Sequence, residues 1–177
     1  MGLNTDKDLW VSWESYHCSI AKLAKIVHES GWKFDQVLCL ARGGLRPGDI
    51  LSRIFDVPLA ILSTSSYRNE SGTVRGDLDI AKYITMAKGT LSGKVLVVDD
   101  LVDSGVTLDC VQRYLQQNLP SVTEVKTAVI WCKACSSVRP DFYLDYLEEN
   151  PWIHQPFEGY DGLRPHQLSA WLKKGES

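Results

Sequence analysis

The stretch Val95-Leu96-Val97-Val98-Asp99-Asp100-Leu101-Val102-Asp103-Ser104-Gly105-Val106-Thr107 constrains this chain more than any other, because it joins an apolar run, adjacent carboxylates and a turn of small residues. Val95 to Val98 follows the turn-forming Ser92-Gly93-Lys94 and shows no polar alternation, which predicts a strand apolar on both faces in the middle of a parallel sheet. The acids then stand at the strand's carboxyl end. Open α/β sheets bind ligands at that edge, where vicinal carboxylates accept hydrogen bonds from a diol or hold a hard cation. Farther on, Leu108, Val111, Leu115 and Leu119 recur at helical spacing, so Asp103-Ser104-Gly105-Val106-Thr107 opens a helix. The free amides of a first helical turn, its small hydroxyls and the positive end of the helix dipole suit a phosphate monoester. The stretch therefore reads as a site for a phosphorylated sugar. The plainer alternative is an N-capped strand-to-helix connection with solvated acids. A Walker phosphate loop is excluded because no Lys precedes the Ser or Thr, and Asp100 and Asp103 are spaced by three rather than the two of an aspartate-nucleophile phosphatase.

A chain of 177 residues, 44% hydrophobic, can bury one core, and a single domain over 1–177 is expected. The net charge of -3 argues against nucleic acid as a partner. Met1 to Asp8 is polar and no apolar run is long enough to cross a bilayer, so no membrane partner and a cytoplasmic location are expected. Five cysteines in core-like settings such as Val37-Leu38-Cys39-Leu40 fit reduced thiols. Cys132-Lys133-Ala134-Cys135 has redox or zinc spacing but stands alone, without a second ligand pair. His17, His28 and His166 read as surface or capping residues.

Strands and helices alternate, as in a parallel-sheet α/β domain. Ser12 can cap a helix burying Ile20, Leu23, Ala24 and Val27, with Gly31 near its end. A buried strand from Gln36 to Leu40 leads into Ala41-Arg42-Gly43-Gly44 and a helix opened by Pro47. Leu59 to Thr64 and Glu124 to Cys132 read as further strands. Between Ser65 and Ile80 the chain turns polar, more a mobile excursion than a packed element. From Asn150 it is aromatic and irregular until a short helix from Gln167 to Lys174. If the first two core strands are parallel, Arg42-Gly43-Gly44 faces the same edge as the acids. Two glycines let backbone amides approach the crowded oxygens of a pyrophosphate, and Arg42 adds a forked donor.

The Asp99 to Thr107 string resembles the signature of type I phosphoribosyltransferases, which bind phosphoribosyl pyrophosphate (PRPP). Further motifs occur in one order: Val11-Ser12-Trp13, Ala41 to Gly48, Ser65-Ser66-Tyr67, Lys133 after a strand, and Pro151-Trp152-Ile153-His154-Gln155-Pro156-Phe157. That order is similar to microbial xanthine-guanine and hypoxanthine phosphoribosyltransferases, from about Val11 to Glu158. The resemblance implies a central parallel sheet flanked by helices, a flexible lid over 65–87 and a small hood over 150–177. It implies an Mg²⁺-dependent, homo-oligomeric enzyme of purine salvage that moves the phosphoribosyl group of PRPP to a 6-oxopurine, giving a nucleoside monophosphate and pyrophosphate.

Carried over residue by residue, Asp99 and Asp100 match the residues that hold the ribose hydroxyls, with Asp100 the better placed for Mg²⁺. Asp103 matches the general base beside the purine imidazole edge. Ser104, Gly105, Val106 and Thr107 match the 5'-phosphate cradle, and Arg42 and Gly43 the pyrophosphate loop, in which the family often has a strained peptide. Lys133 would donate to O6 of the base, Trp152 would stack on it, and backbone groups of Ile153 would read its edge. The bland alternatives are a solvated Lys133 and a core Trp152. Arg75 is the candidate lid cation, with Arg68 and Lys82 as rivals. His154 and Glu158 to Arg164 depart from the family pattern, which leaves the choice among hypoxanthine, guanine and xanthine open. A non-catalytic PRPP- or nucleotide-binding regulator of the same fold is the alternative from another class, and Lys133, Trp152 and the lack of a basic face weigh against it.

Overall fold

The structure, a computed structural model, describes residues 8–66, 78–80 and 83–175. Arg75, Arg68 and Lys82 lie outside the described residues, as does the centre of the excursion expected to be mobile. The chain divides into two units, 18–150 and 1–17 with 151–177.

In the larger unit the parallel strands lie in the order β3 (Leu59–Ser66), β2 (Gln36–Ala41), β6 (Gly93–Val98), β8 (Val122–Lys133), β9 (Phe142–Leu147). Val37 to Leu40 and Val95 to Val98 are buried on both faces, as unbroken apolar runs require. Of the expected inward positions on α1 (Trp13–Glu29), Ile20, Leu23, Ala24 and Val27 are all buried. Ser12 caps that helix, accepting the Ser15 amide at 3.1 Å, and Gly31 beyond its end has φ 74°. Leu108, Val111 and Leu115 line the buried face of α3 (Val106–Asn118), packed with Leu38, Val95 and Val97.

Several boundaries differ from the sequence expectation. The helix α2 (Leu45–Phe55) starts ahead of Pro47, because the first turn has no intrahelical use for its N–H groups and tolerates proline throughout. β8 runs to Lys133, so this residue ends the strand rather than following it, opposite Leu147 of β9. β9 was not anticipated; its Phe-Tyr-Leu-Asp-Tyr-Leu sequence lacks clean alternation, as its mixed burial shows. The polar excursion ends in a strand, β4 (Leu78–Ile80), which pairs antiparallel with the end of β3; past it, β5 (Thr85–Met86) pairs antiparallel with the beginning of β3. The strand carrying the acids also resumes beyond them as β7 (Leu101–Val102), because the long β8 offers it a partner at Trp131 and Cys132.

The smaller unit contains β1 (Leu9–Trp10), parallel to β10 (Ile153–His154), and α4 (Leu168–Gly175). His154 is the centre of this pairing. Its ring stacks on Trp10 at 3.7 Å between centroids, and its nitrogens lie 3.2 Å from Asp8 and 3.4 Å from Glu158. No described helix is long and apolar enough to cross a membrane.

Candidate active site

β2 and β6 are parallel, with Cys39 opposite Val98, so the loops that leave them emerge at one edge. There the Ala41-Arg42 peptide is cis, Arg42 is exposed, and Gly43 and Gly44 lie against the end of β6. A Cβ on Gly43 would stand 2.4 Å from Asp100 Oδ1, and one on Gly44 only 2.3 Å from the Val98 carbonyl oxygen. Neither position can carry a side chain without displacing a strand end or a carboxylate. The glycines are thus needed for the close approach of this loop to the end of β6, a packing reason separate from the approach to a pyrophosphate expected from the sequence.

Asp99 and Asp100 occupy the break between β6 and β7. The Asp99 amide donates to the Ala128 carbonyl at 3.1 Å, and the Asp100 carbonyl accepts from Ile130 at 2.9 Å and Trp131 at 3.2 Å, so the pair is pinned to β8 by its backbone. Each carboxylate accepts the next amide in the chain, Asp99 from Asp100 at 2.9 Å and Asp100 from Leu101 at 2.8 Å. Burial, with the charge of Asp100 next in effect, holds the Asp99 carboxyl well above the usual carboxylate range, against the pull of the Asp100 and Gly44 amides.

Gly105 precedes α3 with φ 86°, and a Cβ there would stand 2.6 Å from Ser136 Oγ, so both conformation and space demand glycine. A cleft of about 210 Å³ opens over the 99–108 segment, with Asp99, Asp100, Asp103, Ser104, Gly105 and Thr107 among its walls. Val106 is not in that lining; its side chain is exposed.

Lys133 is nearly buried, not solvated, and its Nζ lies 3.7 Å from Asp103 Oδ1. The turn that follows it was missed as part of the site. Cys135 Sγ is 3.3 Å from Asp103 Oδ1, and the Ser137 amide and hydroxyl both reach the Ser104 carbonyl, at 3.0 and 2.9 Å. In the Cys132/Cys135 pair both thiols are free, Cys132 is buried, and Cys135 faces Asp103. Burial, then the neighbouring Asp103, pushes the Cys135 thiol up, which keeps it protonated and a donor.

Among the described residues no cluster of three His, Cys, Asp or Glu is arranged to hold a metal ion. The half-buried Asp100, beside a loop with no side chain at Gly43, does fit a Mg²⁺ that takes most of its oxygens from water and substrate phosphate. In the smaller unit Trp152 is exposed, not a core residue, whereas Ile153 is buried. Leu9 and Val11 donate to the carbonyls of Trp152 and His154, so strand alternation turns the N–H and C=O of Ile153 to the other edge of β10.

A family model described as a phosphoribosyl transferase domain matches residues 12–161. Among curated proteins, a xanthine-guanine phosphoribosyltransferase of Idiomarina loihiensis is 30% identical over 160 residues, 89% of this chain and 91% of the relative. Among solved structures, a purine phosphoribosyltransferase of Pyrococcus horikoshii superposes with a TM-score of 0.69 at 31% identity, covering 85% of this chain and 93% of that one. A xanthine-guanine-hypoxanthine phosphoribosyltransferase of Helicobacter pylori gives 0.72 at 25% identity, with 93% and 99% covered.

Proposed function

The chain belongs to the phosphoribosyltransferase family, and from that premise we propose that it transfers the 5-phosphoribosyl group of PRPP to a 6-oxopurine with release of pyrophosphate. The observation that carries this reading is the packing of Gly43 on the Asp100 carboxylate across two parallel strands, beside the amino end of α3. It supports one edge with a pyrophosphate loop, a diol-binding pair and a phosphate cradle. The names of the relatives support the purine class.

In this reading Ser104 to Thr107 hold the 5'-phosphate, and Asp99 and Asp100 hold the ribose hydroxyls. Burial, which pushes the Asp99 carboxyl well above the usual carboxylate range, favours its protonated form, and in that form it can donate to one hydroxyl and accept from another. Arg42, the Gly43 amide and Arg75 of the lid region take the pyrophosphate. A purine nitrogen attacks C1 of the ribose as the C1–O bond to pyrophosphate breaks with inversion, and Asp103 takes the proton from N7. Positive charge gathers on the ribose and negative charge on the leaving group, so positioning and electrostatics carry the rate. Asp100 would hold Mg²⁺, which when bound neutralises the phosphate oxygens. Lys133 donates to O6, Trp152 stacks on the base and Ile153 reads its edge. Lys133 also sits against Asp103, so the group that selects the base neighbours the group that deprotonates it. Purine salvage in the cytoplasm by a homo-oligomer is the setting this reading implies.

The test is stoichiometric. With PRPP, Mg²⁺ and guanine the protein should form nucleoside monophosphate and pyrophosphate in equal amounts, and neither without the base. PRPP that is bound but never consumed would instead establish the regulator of the same fold.

A further inference from the structure

The turn after β8 grips the loop before α3 through backbone carbonyls. Ser137 donates to the Ser104 carbonyl from its amide at 3.0 Å and from its hydroxyl at 2.9 Å, which uses both lone pairs of that oxygen. Cys135 Sγ stands 3.5 Å from the Asp103 carbonyl oxygen and 3.3 Å from its Oδ1. The turn is itself braced: the Ser136 amide donates to the Lys133 carbonyl at 3.1 Å, and the Ser136 hydroxyl accepts the Val138 amide at 3.2 Å. Gly105 completes the contact, since any Cβ there would strike Ser136 and Val138.

A trans peptide points its N–H opposite to its C=O. The peptides joining Asp103 to Ser104 and Ser104 to Gly105 are trans, and both carbonyls are drawn to the turn. The N–H groups of Ser104 and Gly105 therefore face away from it. The cleft includes Ser104 and Gly105 in its lining and no residue of the turn. Among the described residues neither N–H donates to an acceptor within the protein.

We propose that Ser137 and Cys135 are positioning residues: by holding the Ser104 and Asp103 carbonyls they aim two backbone amides at the 5'-phosphate of the ligand, and Cys135 also orients Asp103. The inference rests on the phosphoribosyl-transfer reading of the cleft. It gives the Cys135 thiol a use as a donor, with no redox partner involved.

The experiment compares binding of guanosine 5'-monophosphate with that of guanosine by calorimetry, alongside steady-state kinetics and thermal melting. Wild type should bind the nucleotide far more tightly than the nucleoside; equal affinities would overturn the phosphate-cradle reading and this inference with it. Given that preference, Ser137→Ala should weaken the nucleotide roughly three- to tenfold, the loss expected for one hydrogen bond, and leave guanosine and the melting temperature unchanged. Ser137→Thr should restore it. Cys135→Ala should lower kcat roughly threefold or more with the KM for PRPP less affected, and Cys135→Ser should recover the loss. Ser137→Ala with an unaltered nucleotide-to-nucleoside ratio, or with equal losses for both ligands, would overturn the inference while leaving the cradle reading intact.

Discussion

The two ends of the parallel sheet are built to opposite purposes. At the amino end, Trp32 stacks on Phe34 at 5.4 Å between centroids and lies 6.2 Å from Phe142, while Phe34 meets Phe55 at 4.9 Å. Trp32 Nε1 donates to Glu124 at 2.9 Å, Lys126 sits over the Trp32 ring, and Lys94 pairs with Glu124 at 3.0 Å. Asp35 accepts the Lys94 amide at 2.7 Å and returns its own amide to the Lys94 carbonyl at 2.8 Å. At the carboxyl end the same strands finish in glycines, a cis peptide and two adjacent carboxyl groups, one pushed well above the usual carboxylate range by burial. One end places its polar groups against partners in the chain. The other gathers carboxyl groups and the loop before α3 around a cleft.

Exchanging residues at the two ends should therefore break different properties. Asp103→Asn should lower kcat by about 100-fold or more, some 2.7 kcal/mol in the barrier, with PRPP binding and melting temperature retained, because a general base acts on the transition state. Unchanged turnover would remove Asp103 from the chemistry. At the opposite end, Trp32→Ala should cost about 2 kcal/mol of stability, less than a fully buried tryptophan, and leave kcat/KM as it was. A denaturant titration with parallel kinetics checks both halves; lost activity in the folded variant would deny the division of labour.

Asp99→Asn sharpens the comparison because the two properties should move in opposite directions. A carboxyl whose folded pKa is raised is protonated in the folded protein at a pH where the unfolded chain has already lost its proton. Stability is then intact below about pH 4, the ordinary aspartate range, and falls as pH rises toward the raised folded value. Asparagine removes that loss. The variant should melt higher at neutral pH, by about 2–4 °C for each kcal/mol relieved, converge with wild type near pH 4, and bind PRPP less well. Equal melting at every pH would show that Asp99 carries no such cost. Smallest of all, Lys94→Met should change stability by less than about 1 kcal/mol and activity not at all, since its partner is an exposed carboxylate.

Much of this was legible in the chain. Apolar runs mark β2 and β6 because strands buried on both faces cannot alternate, and the Asp99 to Thr107 string marks the turn that lines the cleft because it abuts such a run. Short pairings were not legible: β1 with β10 and β7 with β8 each engage two residues, too few to leave a period. The grip of Cys135 and Ser137 on Asp103 and Ser104 spans 32 and 33 residues of sequence and is made largely through backbone oxygens, which no side-chain pattern encodes. Exposure of Trp152 likewise depends on its surroundings, not on its own chemistry.

The most direct test is a panel of free bases offered with PRPP and Mg²⁺ to the unmodified protein, with nucleotide product as the readout. A nearly buried Lys133 ammonium loses its acceptor against the amino group of adenine, a mismatch costing several kcal/mol, so hypoxanthine, guanine or xanthine should be used far better than adenine, orotate or uracil. Efficient use of adenine or of a pyrimidine would contradict the assignment of this site to 6-oxopurines.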